Sequence, residues 1–559
     1  MVLIPKDVIC YPNQNKAENI KYTIQHISAA KKPILKVTAT FNLPTQNSKI
    51  YFPNTWISNI NYFKDIKDIK ILSKGTSIFD TEDPYVKLLK HSSPAPIIIE
   101  YTILPHDMNA DQHPYYNIIE DNFFHFFGYG VFCYPDIQTD KNIPITIKWK
   151  TNEKHNLINS FGQNTREQEL NVSIDRLNRS SYWGGLYGLK KVKIHNTEFH
   201  IVYTKSTEAL SHTIANLAKK IFNYQREFWK DYDYPFYFIG LIKDYNLQSM
   251  YSGTSVENAI ILYIDNTSPI SMDQMAIFIA HENWHNWLGG AKLKQPDHYE
   301  STLWLHEGFT DYYAGITALR SGAITLEQYI KYYNDTLQEH FLSSYNEVSN
   351  EDIETNFHNS YQISKVPYTR GHILAQELNY RLKKDSNNKV SLDSVMLGFY
   401  KDYQKSKDYT LDLDSFLKGI SKYINLNKEY LLGYIRDGKL LYPSNDSLGN
   451  CFKISTEQVT KQEYPIDVDS SIKRKTITGL IKDSYLSKKG ILEGASVLEY
   501  HIDDYMSKGA GIIDLQILQD DKARWYRIVP VNRSISIPQY HFREAATRDN
   551  YSNCLQYFK

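Results

Sequence analysis

The sequence predicts an α+β multidomain protein with a β-sandwich-like N-terminal domain, a mostly helical middle domain and a small β-rich tail. Three observations carry this. The chain has 559 residues, enough for several domains. Apolar residues alternate with polar ones through most of the first 190 positions. From about Ser206 the apolar period changes to that of a helix, and near residue 445 it changes back. The expected domains are 1–190, 191–443 and 444–559.

In the first domain, "LKVTATF" puts Leu35, Val37, Ala39 and Phe41 on one face of a strand. "PITIKWK" does the same with Ile145, Ile147 and Trp149, and turn-rich pieces separate such runs. In the second, "STEALSHTIANLAKKIFNYQREFW" spaces Leu210, Ile214, Leu217, Ala218 and Ile221 for one helix face. "PFYFIGLI" and "NAIILYID" follow as strands, and helices dominate to about residue 440. In the tail, "TITGLIKDSYLSKKGILEGASVLEYHID" reads as strand, loop, short helix, turn and strand.

Composition excludes several classes. The 63 basic residues balance 63 acidic ones, so no strong field points to nucleic acid or a membrane surface. No run approaches the roughly 20 apolar residues that span a bilayer. The N-terminus lacks a signal-peptide core, which predicts a cytoplasmic protein. Cys10, Cys133, Cys451 and Cys554 are widely scattered without a C-x-x-C pair, which argues against a cysteine metal site or a disulfide scaffold.

The chemistry concentrates in "SMDQMAIFIAHENWHNWLGG". Ser271 and Gln274 form a capping-box pattern, Met275, Ile277, Phe278 and Ile279 supply apolar surface, and Gly289-Gly290 can stop the helix. His281 and His285 lie one turn apart, so both imidazoles can aim at one ion. Glu282 is displaced by about a third of a turn, placed for water rather than metal. This is the H-E-x-x-H arrangement, in which zinc acidifies water and the glutamate takes its proton.

A catalytic zinc needs a third protein ligand and an open position. "LWLHEGFTDYYAG" offers Glu307, 22 residues after His285. Asp311, four residues later on the same face, is placed to accept the free N–H of a ligating histidine. Glu300 and His298 compete for the ligand role from the polar loop "KQPDHYES". One zinc ion per chain is expected.

His281, Glu282, His285 and Glu307 together resemble the gluzincin pattern of thermolysin-like metallopeptidases. More narrowly, "LWLHEGFTDYYAG", "VSLDSVMLGFY" (390–400) and "YIRDGKLL" (434–441) are similar to stretches of the glycyl aminopeptidase family. That resemblance spans roughly residues 180–445. It implies a thermolysin-like catalytic domain and a C-terminal PDZ-like domain. "HNWLGG" and "LWLHEGF" also resemble the larger family of zinc aminopeptidases that includes leukotriene A4 hydrolase. The gap from His285 to Glu307 is longer than that family's usual spacing and shorter than that of typical glycyl aminopeptidases.

The resemblance implies further roles. Glu257 in "SGTSVENAIILYID" resembles the glutamate that binds a substrate's free α-amine. A fixed negative charge there would select a peptide N-terminus. The strand Ile260 to Ile264 is expected to pair with an extended peptide as an edge strand. Tyr368 in "SKVPYTRGHILAQEL" resembles the phenol that donates to the oxyanion, with His372 as rival donor and Arg370 placed for a substrate carbonyl or an acid. "LSKKGILEGASVLEYHID" is similar to a PDZ strand-helix-strand, and its carboxylate loop is sought at "TITG" near Gly479. The implied function is an aminopeptidase removing small N-terminal residues, Gly or Ala, from peptides. The rivals are a broad aminopeptidase or an endopeptidase of the same chemistry, and an inactive peptide-binding scaffold.

Overall fold

The computed structural model describes residues 19–543 and 551–559, apart from 29–31, 44–46, 53, 57–58, 92–95, 107–114, 196, 233–235, 244–250, 266–270, 291, 359, 426, 503–512 and 521. Cys10 lies outside the described residues. The chain forms two compact units: residues 1–219 with 232–270, and residues 220–231 with 271–559. Among the described residues, no helix is long and apolar enough to cross a membrane.

The first unit is β-rich. Strand Ile34–Asn42 alternates as its sequence requires, with Leu35, Val37, Ala39 and Phe41 fully buried. It pairs antiparallel with Ile20–Ile27 and with Pro96–Ile103 inside a six-stranded sheet. Ile143–Lys150 joins parallel to Ile20–Ile27 and buries Ile145, Ile147 and Trp149. Ile50 and Leu89 of a second sheet and Phe124, Phe126 and Tyr182 of a third share this core. Each such side chain stabilises the fold by roughly 1.5–3 kcal/mol. The buried phenols of Tyr22 and Tyr101 are satisfied: Tyr22 donates to the Cys133 carbonyl and Tyr101 to that of Val131, both at 2.7 Å.

A mixed five-stranded sheet in the same unit runs in the order Gly188–Ile194, Thr197–Tyr203, Tyr237–Lys243, Ala259–Ile264, Tyr251–Val256. All six residues of Ala259–Ile264 are buried. This strand lies between two neighbours, parallel to one and antiparallel to the other. The expectation that Ile260 to Ile264 forms an edge is therefore corrected. An apolar run buried on both faces belongs inside a sheet, and the edge falls to the half-buried Tyr251–Val256. The two strands form a hairpin whose turn is Glu257-Asn258, with Asn258 left-handed at φ +49°. Helix α1 (Ile174–Asn178) is capped by the Ser173 hydroxyl, which accepts the Arg176 N–H. Helix α2 spans Glu208–Trp229.

The second unit is mainly helical. Helix α3 (Met272–Trp284) buries Met275, Ala276, Ile277, Ile279 and Ala280, while Phe278 is half-buried. Its capping box does not form: the Ser271 hydroxyl donates to the Asp273 carboxylate, and its oxygen accepts from no backbone amide of the helix. The helix stops at His285, and Gly289 takes φ +78° four residues on. Helices α4 (Leu303–His306) and α5 (Gly308–Arg320) meet at Glu307. Helices α6 (Leu326–Leu342), α7 (Asn350–Asn356) and α8 (Tyr361–Asp385) follow, and α5 packs against both α3 and α8. The α4–α5 junction touches α8 through two glycines. A Cβ on Gly371 would lie 1.9 Å from the Trp304 carbonyl oxygen, and one on Gly308 would lie 2.4 Å from the Gly371 Cα.

The tail folds within this second unit. Phe452–Glu463 pairs antiparallel with Val531–Phe542, and Val497–Ile502, Ile513–Gln519 and Lys522–Ile528 form a three-stranded sheet. Ile477, Leu486, Ile491, Leu515, Ile517 and Ile528 make a small core. The scattered cysteines are also corrected. Cys451 and Cys554, 103 residues apart, form a disulfide, while Cys133 is free and buried. Separation along the chain carries no information about separation in the fold. The bond ties down the C-terminal helix Tyr551–Phe558, which also receives Arg320 at the Phe558 carbonyl and Lys383 at the Tyr557 carbonyl, the latter at 2.6 Å.

Candidate metal centre

His281 and His285 present their Nε2 atoms 3.1 Å apart. Oε2 of Glu307 lies 3.3 Å from the first and 3.4 Å from the second. The edge of a tetrahedron of ligands about 2.05 Å from a zinc ion is about 3.3 Å. The three atoms thus already stand at ligand spacing.

The other ring nitrogens show why this convergence suits a cation. Nδ1 of His281 meets Asp311 Oδ1 at 2.7 Å, and Nδ1 of His285 meets the Leu288 carbonyl oxygen at 3.1 Å. Both partners only accept, so both imidazoles donate from Nδ1. In neutral rings this leaves a lone pair on each Nε2, and both face the carboxylate oxygen of Glu307. Three electron pairs aimed at one point fit a metal ion. The side chains of His281, His285 and Glu307 are 11, 18 and 14% exposed, so the cluster is largely shielded from solvent but not sealed. Burial opposes charge on Glu307, yet His285 and His281 outweigh it and hold its carboxyl well below the usual range. Burial likewise opposes charge on His281, but Asp311 and Glu307 raise it well above an ordinary histidine.

Local structure sets each position. The Asp311 N–H bonds the Glu307 carbonyl at 2.8 Å, so one turn of α5 carries both carboxylates. Glu282 is buried on α3 next to His281, and its charge acts on both imidazoles. The Tyr368 ring, on α8, lies 6.3 Å from the His281 ring with 17° between planes.

The competitors go elsewhere. Glu300 faces His358 at 3.3 Å, and His298 precedes a short 3-10 turn; neither joins the cluster of His281, His285 and Glu307. His372 is fully buried among Tyr312, Tyr332 and Tyr333, and burial lowers its pKa to about 4. Arg370 is buried and donates to the carbonyls of Asn346 and Val348 at 3.1 and 2.6 Å, so it meets backbone rather than an acid. Glu257 lies in the first unit. Its Oε1 accepts from Arg176 Nη2 at 2.6 Å and Nε at 3.2 Å.

Sequence reasoning missed the residues that hold α3. Gln225, fully buried, donates to the Ala280 carbonyl at 2.9 Å and to Thr317 Oγ1 at 3.2 Å, and it accepts from Asn283 at 2.6 Å. Its signal was present: a glutamine four residues after Ile221, on the apolar stripe of α2. Asp231 accepts from Trp287 Nε1 at 2.8 Å and pairs with Lys292.

Residues 213–428 match the model of the Peptidase family M1 domain. No curated protein matches the chain. Among solved structures, an aminopeptidase N family protein from Idiomarina loihiensis is 15% identical with a TM-score of 0.70, covering 96% of this chain and 100% of that one. An M1 zinc metallopeptidase from Deinococcus radiodurans is 13% identical with a TM-score of 0.46, covering 76% and 94%. The likeness to the Idiomarina protein is one of fold, and the matched domain encloses the whole His281, His285 and Glu307 cluster. With residues 213–428 matching that domain model, the protein is a zinc-dependent metallopeptidase, a hydrolase of peptide bonds that uses one zinc ion.

Proposed function

We propose that the protein is an aminopeptidase whose zinc ion is held by His281, His285 and Glu307. The observation that carries this is the convergence of three lone pairs while each histidine's other nitrogen is tied to an acceptor. When bound there, zinc supplies Lewis acidity toward the scissile carbonyl. Glu282 takes a proton from the attacking water and hands it to the leaving amine. Tyr368 donates a hydrogen bond to the substrate oxygen as charge builds on it, a contribution worth about 3 kcal/mol of barrier. Asp311 fixes the ring of His281. Glu257 accepts the α-ammonium of the substrate, which restricts cleavage to a free N-terminus.

A preference for N-terminal Gly or Ala rests on the resemblance to glycyl aminopeptidases. The Peptidase family M1 match favours a second reading, a broader zinc aminopeptidase. Hydrolysis of Gly, Ala and Leu anilides, beside their N-acetylated forms, separates these readings. Ala and Gly anilides should be cleaved fastest, and the acetylated forms should be refused. Rapid cleavage of acetylated substrates would instead identify an endopeptidase.

We keep the division 1–190, 191–443 and 444–559, with a PDZ-like last domain. In the "TITG" loop, the N–H groups of Gly479 and Leu480 both donate to the Glu493 carboxylate, at 3.0 and 2.8 Å. A peptide carboxylate binding there would have to displace that side chain. The Cys451–Cys554 disulfide favours an oxidising compartment over the cytoplasm.

A further inference from the structure

Glu257 sits in the two-residue turn of an edge hairpin, and three bonds hold that turn without its carboxylate. The Glu257 N–H donates to the Arg179 carbonyl at 3.2 Å. The Asn258 side chain donates to the Ser160 carbonyl at 3.1 Å. The Asn258 carbonyl accepts from the Phe238 N–H at 3.2 Å. The hairpin therefore does not need an ion pair to stay docked.

An ion pair is present nonetheless, and its geometry is lopsided. Arginine usually meets a carboxylate as a fork, one nitrogen to each oxygen. Here Nε and Nη2 of Arg176 both reach Oε1, at 3.2 and 2.6 Å. Among the described residues, no hydrogen-bond donor reaches Oε2. The arginine itself is anchored. Its N–H is taken by the Ser173 hydroxyl at 3.2 Å, and its carbonyl accepts from the Ser180 hydroxyl at 2.6 Å. The Glu257 side chain is 16% exposed against 40% for Arg176, so the carboxylate is the more shielded partner but still open to solvent.

We propose that Arg176 is a positioning residue for Glu257: by occupying Oε1 it fixes the carboxylate's rotation and leaves Oε2 as the acceptor for the substrate's α-ammonium. This rests on the reading of Glu257 as the amine-binding residue. The arginine also balances the carboxylate's charge while no substrate is bound. An incoming ammonium is then recognised by a directed hydrogen bond more than by bulk attraction, and the liberated amino acid leaves readily. A merely structural ion pair, half-exposed as this one is, would contribute little to any readout.

The test uses the zinc-loaded full chain and alanine p-nitroanilide, with kcat and KM measured separately beside the melting temperature. The variants are R176A, R176K, E257A and the double R176A/E257A. Losing a charge-assisted hydrogen bond predicts that R176A raises KM by about 10-fold, with kcat changed by less than about 2-fold and melting unmoved. R176K should recover part of the loss, because a lysine restores the charge but not the two-nitrogen hold. The double variant should be no worse than E257A, since both changes act on one contact. If R176A leaves KM unchanged while E257A raises it, Arg176 has no positioning role and the reading of Glu257 stands. If the two single losses add fully in the double variant, Arg176 acts independently and the proposal fails. If E257A keeps wild-type KM, the amine-binding reading itself falls. Should R176A melt early, the comparison of R176K with R176Q decides the matter on the same criteria.

Discussion

Nδ1 of His281 donates to Oδ1 of Asp311 over 2.7 Å, and Asp311 follows Glu307 by one turn of α5. One helical turn therefore carries both a candidate ligand to the metal and the acceptor that orients another. Asp311→Asn should lower zinc affinity by about 10- to 100-fold. The amide can donate to Nδ1, which would put the proton on the nitrogen meant for metal. Zinc retained after dialysis against graded chelator measures this, and unchanged retention would remove Asp311 from the site.

Glu282→Gln preserves size and removes the proposed base. The expected loss in kcat is about 10²- to 10⁴-fold, with one zinc per chain still bound by metal analysis. Hydrolysis at the wild-type rate would show that another group takes the proton from water.

The contact between Gly308 and Gly371 lets α4 and α5 approach α8. In Gly371→Ala the new methyl would stand 1.9 Å from the Trp304 carbonyl oxygen, so the backbone must move. Overpacking of this kind costs typically 1–3 kcal/mol. Because Glu307 sits at the displaced junction, zinc affinity should fall together with stability. Chemical denaturation paired with zinc titration reads both.

The Cys451–Cys554 disulfide joins residues separated by 103 positions. Cys554→Ser should lower unfolding stability by about 2–5 kcal/mol. The same drop should follow addition of reductant to the wild type, and reductant should do nothing further to the variant. Equal stability with and without reductant would mean that the cross-link contributes nothing to the fold.

Much of the site was legible because it is written in local periodicities. His281 and His285 share a face by virtue of one helical turn, and Glu307 and Asp311 repeat that spacing on α5. The alternation of Leu35, Val37, Ala39 and Phe41 fixed a strand for the same reason. What was not legible depends on tertiary partners. The pattern Ser271 to Gln274 looked like a capping box, but the hydroxyl found Asp273. The apolar run at Ile260 to Ile264 declared a strand without declaring its neighbours, so its place inside the sheet came only from the structure. Arg176 reaches Glu257 across 81 residues and leaves no local trace.

The bond between Cys451 and Cys554 makes residues 451–554 a covalent ring that contains all three strands of the small tail sheet. A protease that cuts the ring once opens it without separating the pieces. On a denaturing gel such a nicked chain runs as one band until thiol is added, and only then divides in two.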